Sequence, residues 1–400
     1  MGARDLRYGE VMADERVLDI VVFGATGFTG GLVAQYLSAH RGKLRWALAG
    51  RDQAKLERVR DGLQNQDNRP QIVVANANDE RSLRAMAKDT RVVLTTVGPF
   101  LRYGEPLLRA CAESGTHYVD LTGEPPFVAL TRERYHAIAK ANGAKLINAC
   151  GFDSIPHDLG AYFTLHKLRA RLPDSERDSA AITIEGIVRA SGAFSGGTWH
   201  SALETMSTLR SGNRALTKTP STDGRRVGAT PSAISFRSEL ALWTVPMPTI
   251  DPWIVRESAR ALPEYGPNFR YGHFLGLKHW YQVAGLLAGV GSVFALAQFG
   301  PTRSLLEKLK LPGDGPDADT RSKSWFRVIF QGHAAGRKVH CEVRGGDPGY
   351  GETAKMISEA ALSLAFDELP PHYGAVTTAV ALGQALIDRL VKAGISFEEI

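Results

Sequence analysis

The sequence predicts an α/β fold: an N-terminal, doubly wound, mostly parallel sheet, followed by a second domain of the α+β type. A short apolar strand at residues 18–23 runs into a glycine-rich turn and then a helical apolar segment. Strand-like and helical patterns then alternate in six units up to residue 149, which is typical of a parallel sheet. Beyond Pro156 the alternation stops, and the 400-residue length leaves room for a second domain.

The turn after the first strand has the spacing Gly24-x-x-Gly27-x-x-Gly30, not the usual G-x-G-x-x-G. One glycine permits a sharp bend, one lets a pyrophosphate approach the backbone, and one lets the helix pack against the strand. The free N–H groups at the start of the helix then face the phosphates. We therefore predict a dinucleotide site of the Rossmann type; a purely structural turn is the alternative. The predicted contacts are Gly24, Ala25, Thr26, Gly27, Phe28 and Gly30.

The second strand, expected at residues 44–50, ends in Arg51 and Asp52. At this position an acidic residue binds the ribose of NAD, whereas an arginine suits the extra phosphate of NADP. Arg51 favours NADP. The alternative is that Arg51 is a solvated loop residue and Asp52 binds the ribose, which would favour NAD.

Later strand ends supply further candidate contacts. Asn78 follows the third strand, where a polar side chain meets adenine or, alternatively, caps the helix at residues 80–88. Gly98 and Pro99 follow the fourth strand and provide a floor without bulky side chains for the nicotinamide ring. The remaining predicted strands are 71–76, 91–97, 118–121 and 145–149, and the remaining helices are 32–37, 55–63, 107–113 and 132–142.

The second half of the chain has a less regular pattern. We expect a strand at 181–190, a turn at 191–197 leading into a helix from about residue 198, and a long loop at 210–232. A linker is expected at 312–320, then a strand pair at 325–330 and 338–343 and a helix at 353–365. The predicted divisions are a tail (1–17), a nucleotide-binding domain (18–155), a second domain (156–345) and a C-terminal helical region packing back on the first domain (346–400).

Residues 282–299 contain no charge and are rich in Gly, Ala, Leu and Val. Their length lies at the lower limit for a bilayer span. Three interpretations stay open: a buried helix, a tunnel wall and a helix that contacts a membrane. Basic and aromatic flanks, including Lys278 and Trp280, resemble those of a helix at a membrane interface, and peripheral membrane contact through residues 275–310 is one of the hypotheses.

Composition limits the partners. The net charge of +6 is modest, and no basic run indicates nucleic-acid binding. The three cysteines have no metal-ligand spacing, so no metal site is predicted, and their scarcity favours a reducing compartment. Residues 1–16 show no apolar secretory segment. We expect a cytoplasmic protein, with peripheral contact to the inner face of the plasma membrane as a further hypothesis.

Several motifs resemble the saccharopine dehydrogenase-like oxidoreductase family, and within it the bacterial trans-acting enoyl reductases. The resemblance covers most of 18–165 and 325–397, and the motifs are Val97-Gly-Pro-Phe100, Tyr103-Gly-Glu-Pro106, Ala110-Cys111-Ala112, Gly115-Thr-His-Tyr-Val-Asp-Leu-Thr-Gly-Glu124, Gly151-Phe-Asp-Ser-Ile-Pro156 and Gly345-Gly-Asp-Pro-Gly-Tyr-Gly-Glu-Thr-Ala354. It implies a Rossmann domain, a second domain that holds the substrate, and a reduced nicotinamide as hydride donor. The implied substrate is an acyl or lipid-linked molecule, either free or bound to a carrier protein, in complex-lipid synthesis.

Enoyl reduction needs a group that stabilises the enolate oxygen and a proton for the α-carbon. We predict Tyr103, Asp153 and His200 as catalytic candidates, with Ser154 and His157 nearby. The alternatives are a packed aromatic for Tyr103, a helix cap for Asp153, and structural or solvated roles for the histidines. The Tyr-x-x-x-Lys dyad of short-chain dehydrogenases is absent.

Two other functions compete with a lipid-directed reductase. An amino-acid dehydrogenase would need arginine side chains that bind a polar, charged substrate. The apolar segment 282–299 fits such a substrate poorly. A nucleotide-binding adaptor at a lipid surface would bind the cofactor without turnover. A homodimer is also considered.

Overall fold

The computed structural model describes residues 16–65, 67–191, 224–297 and 318–400. His200, the helix expected from residue 198, the turn at 192–197 and most of the expected loop at 210–232 lie outside these ranges. Two β-sheets organise the described residues. This arrangement confirms the predicted fold class.

The first sheet has seven strands, all paired in parallel. They are β1 (Leu18–Phe23), β2 (Trp46–Gly50), β3 (Gln71–Val74), β4 (Thr90–Thr95), β5 (His117–Asp120), β6 (Lys145–Ile147) and β14 (Gly374–Ala375). Their order is β14-β6-β5-β4-β1-β2-β3. The chain therefore winds one way from β1 and the other way from β4, and such a switch point opens a ligand crevice at the carboxyl ends of the strands.

The helices of this unit cover both faces of the sheet. They are α1 (Phe28–Ser38), α2 (Gln53–Asp61), α3 (Glu80–Lys88), α4 (Phe100–Tyr103), α5 (Glu105–Ser114), α6 (Pro125–Leu130) and α7 (His136–Ala141), with a π-helical turn at Thr131–Tyr135. The helix predicted from residue 132 thus begins earlier, at Pro125. Proline is favoured in the first helical turn, where its missing N–H costs nothing.

The second sheet is mixed. Its strands are β7 (Ala181–Ser191), β8 (Arg226–Ala229), β9 (Ser235–Arg237), β10 (Leu242–Pro246), β11 (Asn268–Leu277), β12 (Trp325–Ala334), β13 (Arg337–Gly345) and β15 (Ser396–Glu399). The order is β15-β13-β12-β7-β11-β10-β9, and β8 pairs with β11. The antiparallel pair of β12 and β13 confirms the predicted strand pair.

Two sequence expectations are wrong in this unit. The expected loop at 210–232 contains β8, because residues 226–229 pair in parallel with residues 268–271 of β11. The expected linker at 312–320 overlaps a helix, α11 (Ala318–Lys323). The strand is only four residues long and the helix only six, which is too short for a clear strand or helix periodicity.

The helices linked to the second sheet join the two units. They are α8 (Ile155–Ala170), α9 (Asp251–Ala261), α10 (Trp280–Ala297), α12 (Gly351–Phe366), α13 (Thr378–Ala381) and α14 (Gly383–Lys392). Helix α8 follows β6 and packs against β12 and β13, while α12 packs against α1 and β4. The buried carboxyl of Asp158 on α8 accepts hydrogen bonds from the Ser258 and Thr378 hydroxyls and from the Ala379 N–H. A continuous hydrophobic core connects both sheets.

Helix α10 confirms a helix in the uncharged segment but not a buried one. Trp280, Leu287 and Val290 are 67%, 50% and 44% exposed. Most side chains between Trp280 and Val293 face solvent, so the interpretation as a buried helix is wrong. Within the described ranges, none of the helices has both the length and the apolar character to span a bilayer.

Candidate active site

Two glycines of the first turn are required by the fold itself. Gly24 has φ +93°, and a Cβ there would lie 2.7 Å from Cγ2 of Val97. A Cβ on Gly30 would lie 2.8 Å from the carbonyl carbon of Gly24 and 2.9 Å from Cα of Ala25. Real Cβ atoms do not approach so closely, so Gly30 lets α1 pack directly on the turn.

Gly27 is different, because nothing within the protein requires a glycine there. Its φ and ψ are −81° and 166°, and an added Cβ would meet only the Gly24 oxygen, at 3.4 Å. The first N–H groups of a helix have no acceptor within the helix. In α1 these belong to Phe28, Thr29 and Gly30. A bare backbone beside unpaired amides fits a bound pyrophosphate.

The rest of the turn shows how α1 is anchored. Ala25 is buried in the core, whereas Thr26 is exposed. The Phe28 ring packs edge-on against Tyr350, with ring centroids 4.8 Å apart, and the Arg321 guanidinium lies 5.6 Å from the Phe28 centroid. Residues from α11 and the start of α12 therefore border the predicted phosphate site.

Arg51 and Asp52 have separate tasks at the end of β2. Oδ1 of Asp52 accepts a hydrogen bond from the Lys55 N–H at 3.0 Å, so Asp52 is the N-cap of α2. Arg51 is exposed, and its side chain forms no hydrogen bond or ion pair with any described residue. This division fits a cofactor phosphate at Arg51 better than a ribose at Asp52.

Asn78 lies exposed after β3, and its backbone N–H donates to Oδ1 of Asn76 at 3.1 Å. The cap of α3 is its neighbour Asp79, whose Oδ1 accepts from the Arg81 N–H. The alternative interpretation of the Asn78-Asp79 pair, a helix N-cap, is therefore confirmed for Asp79, and the cap is not the side chain of Asn78.

The Gly98–Pro99 turn follows β4 and contains a cis peptide bond. Directly after it, the Glu124 carboxylate accepts hydrogen bonds from the Phe100 N–H at 2.9 Å and the Leu101 N–H at 2.8 Å. Glu124 therefore fixes the start of α4, which includes Tyr103. The Arg102 guanidinium lies 5.1 Å from the centroid of the Tyr103 ring.

Asp153 lies in the loop between β6 and α8, at the same edge of the sheet. A Cβ on Gly123 would lie 3.6 Å from Oδ2 of Asp153, so the carboxyl is close to the loop after β5. The neighbouring Phe152 N–H donates to the Thr353 hydroxyl at 3.2 Å, which anchors this loop to α12. Asp153 is exposed to solvent, and desolvation by the surrounding protein raises the pKa of its carboxyl.

Asp153 does not cap a helix, and Ser154 is the residue at the N-cap of α8. The Ser154 hydroxyl is buried and makes no hydrogen bond within the described ranges. The structure thus brings Tyr103 and Asp153 to one edge of the first sheet, after different strands, while His200 is not described.

A buried polar cluster lies beyond Asp153. His157 on α8, Asp251 at the start of α9 and His273 on β11 face one another. Burial lowers the pKa of His157 well below its ordinary range and that of His273 to about 3. Burial, and secondarily the charge of Asp153, raises the pKa of Asp251 well above its ordinary range.

Glu124, Asp251 and His273 were not predicted as site residues. Glu124 is the last residue of the motif that begins at Gly115, so the motif could have identified it as a candidate site residue. Asp251 precedes Pro252, a helix-start pattern that indicates a cap rather than a cluster. His273 has no local signal, because only the pairing of β11 within the sheet brings it to the other two.

Known proteins resemble this chain over nearly its whole length. Residues 20–147 match the family described as Saccharopine dehydrogenase NADP binding domain. A putative trans-acting enoyl reductase of Mycobacterium tuberculosis is 36% identical over 418 residues, covering 96% of this chain and 98% of the relative. A trans-acting enoyl reductase of Mycobacterium ulcerans is 34% identical, covering 95% and 97%.

The chain belongs to the saccharopine dehydrogenase-like oxidoreductases.

A solved structure agrees with this assignment at the level of the fold. Apo saccharopine dehydrogenase (L-Glu forming) from Saccharomyces cerevisiae superposes with a TM-score of 0.54 at 12% identity, covering 95% of this chain and 99% of that one. The family assignment makes this saccharopine dehydrogenase-like protein an NAD(P)-dependent oxidoreductase. Its matched domain type is NADP-binding, and the turn at Gly27 fits such a cofactor.

Proposed function

We propose that this oxidoreductase is an enoyl reductase that uses NADPH to reduce the carbon–carbon double bond of an α,β-unsaturated acyl thioester. The observation that carries the proposal is the arrangement at one sheet edge. The α1 turn, the Gly98–Pro99 turn and Asp153 all follow strands of the same parallel sheet. The names of the mycobacterial relatives support this reaction class.

The first task of the chain is to hold the cofactor. The amides of Phe28, Thr29 and Gly30 would bind the pyrophosphate, and Arg51 the additional phosphate of NADP. We assign Asn78 to the adenine end of the cofactor and Gly98–Pro99 to its nicotinamide end. When bound, NADPH would supply the hydride that reduces the β-carbon of the substrate.

The second task is to manage the electrons and the proton. As the hydride adds, the π electrons of the double bond move to the thioester carbonyl and form an enolate. The Asp153 carboxyl, with its pKa raised by desolvation, can hold a proton and deliver it to the α-carbon. Tyr103 is the candidate donor that stabilises the enolate oxygen. Water then reprotonates Asp153.

The substrate class follows from the surface as well as from the relatives. An acyl chain, free or attached to a carrier protein, is a precursor of lipids. The exposed apolar helix α10 would bring the enzyme to a membrane surface where such precursors collect. This peripheral contact, through the described part of residues 275–310, is proposed in preference to a homodimer formed by the same helix.

The experiment is a cofactor oxidation assay with a panel of trans-2-enoyl thioesters of increasing chain length, followed by the absorbance of NADPH. We expect turnover that improves with chain length. NADPH carrying deuterium at the transferred position should place the label on the β-carbon of the product. No oxidation with any thioester, in a chain that binds NADPH, would contradict the proposal.

A substitution tests the assignment of Asp153 as the proton donor. Asp153→Asn should lower kcat by about 100-fold or more, because general acid catalysis contributes that much, while NADPH affinity stays unchanged. Asp174→Asn, at a fully exposed carboxylate, is the control. An assay with saccharopine and NADP, in the oxidative direction, tests the alternative of an amino-acid dehydrogenase. Turnover of saccharopine would favour that function over enoyl reduction. Binding of NADPH without any turnover would favour the adaptor.

A further inference from the structure

Three buried side chains from three different elements converge next to the candidate active site. His157 lies in the first turn of α8, Asp251 is the first residue of α9, and His273 lies in β11. Their side chains are 3%, 4% and 1% exposed. Two imidazoles and a carboxyl are rarely buried together without a partner that satisfies them.

The distances within this cluster are too long for hydrogen bonds. Nε2 of His157 lies 3.6 Å from Oδ1 of Asp251, and Nε2 of His273 lies 3.5 Å from Oδ2. Oδ1 of Asp251 and Nε2 of His273 have no hydrogen-bond partner anywhere in the described part of the chain. Buried polar atoms in folded proteins are nearly always satisfied, so these two atoms indicate an absent ligand.

The spacing of the atoms fits a metal ion. One ligand atom from each of the three residues lies within 4.8 Å of the others. Zinc binds histidine nitrogen and carboxylate oxygen at about 2.0–2.2 Å, so ligand atoms of a tetrahedral site are about 3.3 Å apart. The separations of 3.5 and 3.6 Å therefore need only small side-chain movements to close around an ion.

The surroundings supply outer contacts to His273 and Asp251, whereas Nδ1 of His157 has no hydrogen-bond partner among the described residues. Nδ1 of His273 lies 3.3 Å from the Tyr271 hydroxyl, which leaves Nε2 as the nitrogen that faces Asp251. The Thr249 hydroxyl donates to Oδ2 of Asp251. Such contacts orient the ligating atoms and raise metal affinity.

We propose that His157, Asp251 and His273 bind a divalent transition metal ion of the zinc type. Three protein ligands leave one coordination position for water. The ion would tie α8, α9 and β11 together just behind the loop that carries Asp153. This inference revises the expectation of no metal site, which rested on cysteine spacing alone, and it does not depend on the proposed reaction.

The test uses the full-length chain without an affinity tag, depleted of metal with a chelator. It is titrated with Zn²⁺ in competition with a chromophoric chelator, and with Co²⁺ while visible absorption is recorded. We expect one ion per chain, the absorption bands of tetrahedral Co²⁺ with nitrogen and oxygen ligands, and a higher melting temperature with Zn²⁺. Neither substrate nor NADPH is present, so failure of the proposed reaction would leave this result unaffected.

Variants locate the site. Asp251→Asn and His273→Asn should each weaken Zn²⁺ binding by more than about tenfold, because each removes a proposed ligand. Thr249→Val should weaken it by about tenfold, because it removes the hydrogen bond to Asp251. His166→Gln removes an exposed imidazole from the same helix as His157 and should change nothing. Less than half an ion per wild-type chain would overturn the proposal, as would equal binding by wild type and Asp251→Asn. If the ligand variants do not fold, the Co²⁺ spectrum of the wild type decides, and its absence overturns the proposal.

Discussion

The carboxylate of Glu124 holds the backbone of Phe100, accepting its N–H at 2.9 Å and the next N–H, of Leu101, at 2.8 Å. Glu124 follows β5, whereas Phe100 begins the short helix after β4. One side chain thus fixes the relative position of two loops at the carboxyl edge, including the Gly98–Pro99 turn and Tyr103.

Replacing Glu124 by alanine should therefore lower kcat/KM by about tenfold and stability by about 1–3 kcal/mol, because two backbone donors lose a charged acceptor. Steady-state assays with NADPH and chemical unfolding measure both effects. Glu133→Ala, at an exposed glutamate a few residues away, is the control. Unchanged activity and stability in Glu124→Ala would show that the two loops are held by other contacts.

Arg51→Ala should weaken NADPH binding by about 10- to 100-fold, the equivalent of a charged hydrogen bond of about 1.5–3 kcal/mol, and leave NADH binding unchanged. The reason is that only NADPH has the additional phosphate. Calorimetric titration with each cofactor gives the two constants. Arg58→Ala, which removes an exposed arginine from α2, should leave both constants at the wild-type values. An equal loss for both cofactors would place Arg51 away from that phosphate.

The glycines of α1 allow a matched comparison. Gly30→Ala should destabilise or unfold the chain, because its Cβ would collide with the Gly24 peptide. Gly27→Ala should keep the wild-type melting temperature, because its Cβ would meet only the Gly24 oxygen, at 3.4 Å. It should weaken NADPH binding by about tenfold or more, because a pyrophosphate at this turn needs to approach bare backbone. Gly31→Ala has room for a Cβ inside a helix and should be neutral or stabilising by up to about 1 kcal/mol. Wild-type cofactor affinity in Gly27→Ala would remove the pyrophosphate from this turn.

The buried carboxyl of Asp120 makes the free energy of unfolding depend on pH. Burial raises its pKa from 3.8 to about 6, although the Thr122 and Ala149 N–H groups and the Asn148 amide oppose the rise. The folded chain holds this proton more tightly than the unfolded chain. The stabilising contribution is therefore complete below pH 3.8 and is lost as the pH rises through about 6. The pKa difference corresponds to about 3 kcal/mol.

In the wild type, the free energy of unfolding should fall between about pH 4 and about pH 7 as Asp120 loses its proton. In Asp120→Asn this fall should be smaller by up to about 3 kcal/mol. Chemical unfolding at several pH values measures this difference, and comparison within each protein cancels the constant cost of the substitution. The neighbouring Tyr118 and Cys150 have raised pKa values and stay neutral over this range. Asp174→Asn is the control. Identical pH profiles for wild type and Asp120→Asn would show that Asp120 titrates normally.

Helix α10 predicts binding to lipid. The wild type should float with vesicles of phosphatidylcholine and anionic phosphatidylglycerol, and Leu287→Asp should bind about tenfold less, because burying a leucine contributes about 1.5–3 kcal/mol. Val391→Asp is the matched control, since Val391 on α14 is 49% exposed and Leu287 is 50% exposed. If the wild type does not float but forms a dimer that Leu287→Asp dissociates, α10 contacts a second copy of the chain instead.

Sequence patterns predicted the first sheet well, because its signals are local. Strand β1 and helix α3 have the predicted bounds, since β1 is buried along its whole length and Asp79 caps α3. The second sheet was harder. Strand β8 is only four residues long and pairs with β11, a partner that no local pattern identifies.

The candidate site divides in the same way. The glycine turn and Arg51 could be recognised from their separation in the sequence. The first two strands of such a sheet bind the pyrophosphate and the ribose of one cofactor, and these two groups are a fixed distance apart. The cluster of His157, Asp251 and His273 has no such spacing, because a helix, a helix start and a strand meet only in the folded chain. The exposure of α10 also could not be predicted, since an uncharged helix has the same sequence whether it is buried or uncovered.

The outermost strands β14 and β15 both come from the last thirty or so positions of the sequence, and they border different sheets. A growing polypeptide leaving the ribosome therefore cannot complete either sheet until the strands that precede β14 and β15 have all been synthesised. Until then β6 and β13 each present an open edge to other molecules. Late synthesis of these two short strands makes the nascent form the stage most exposed to aggregation.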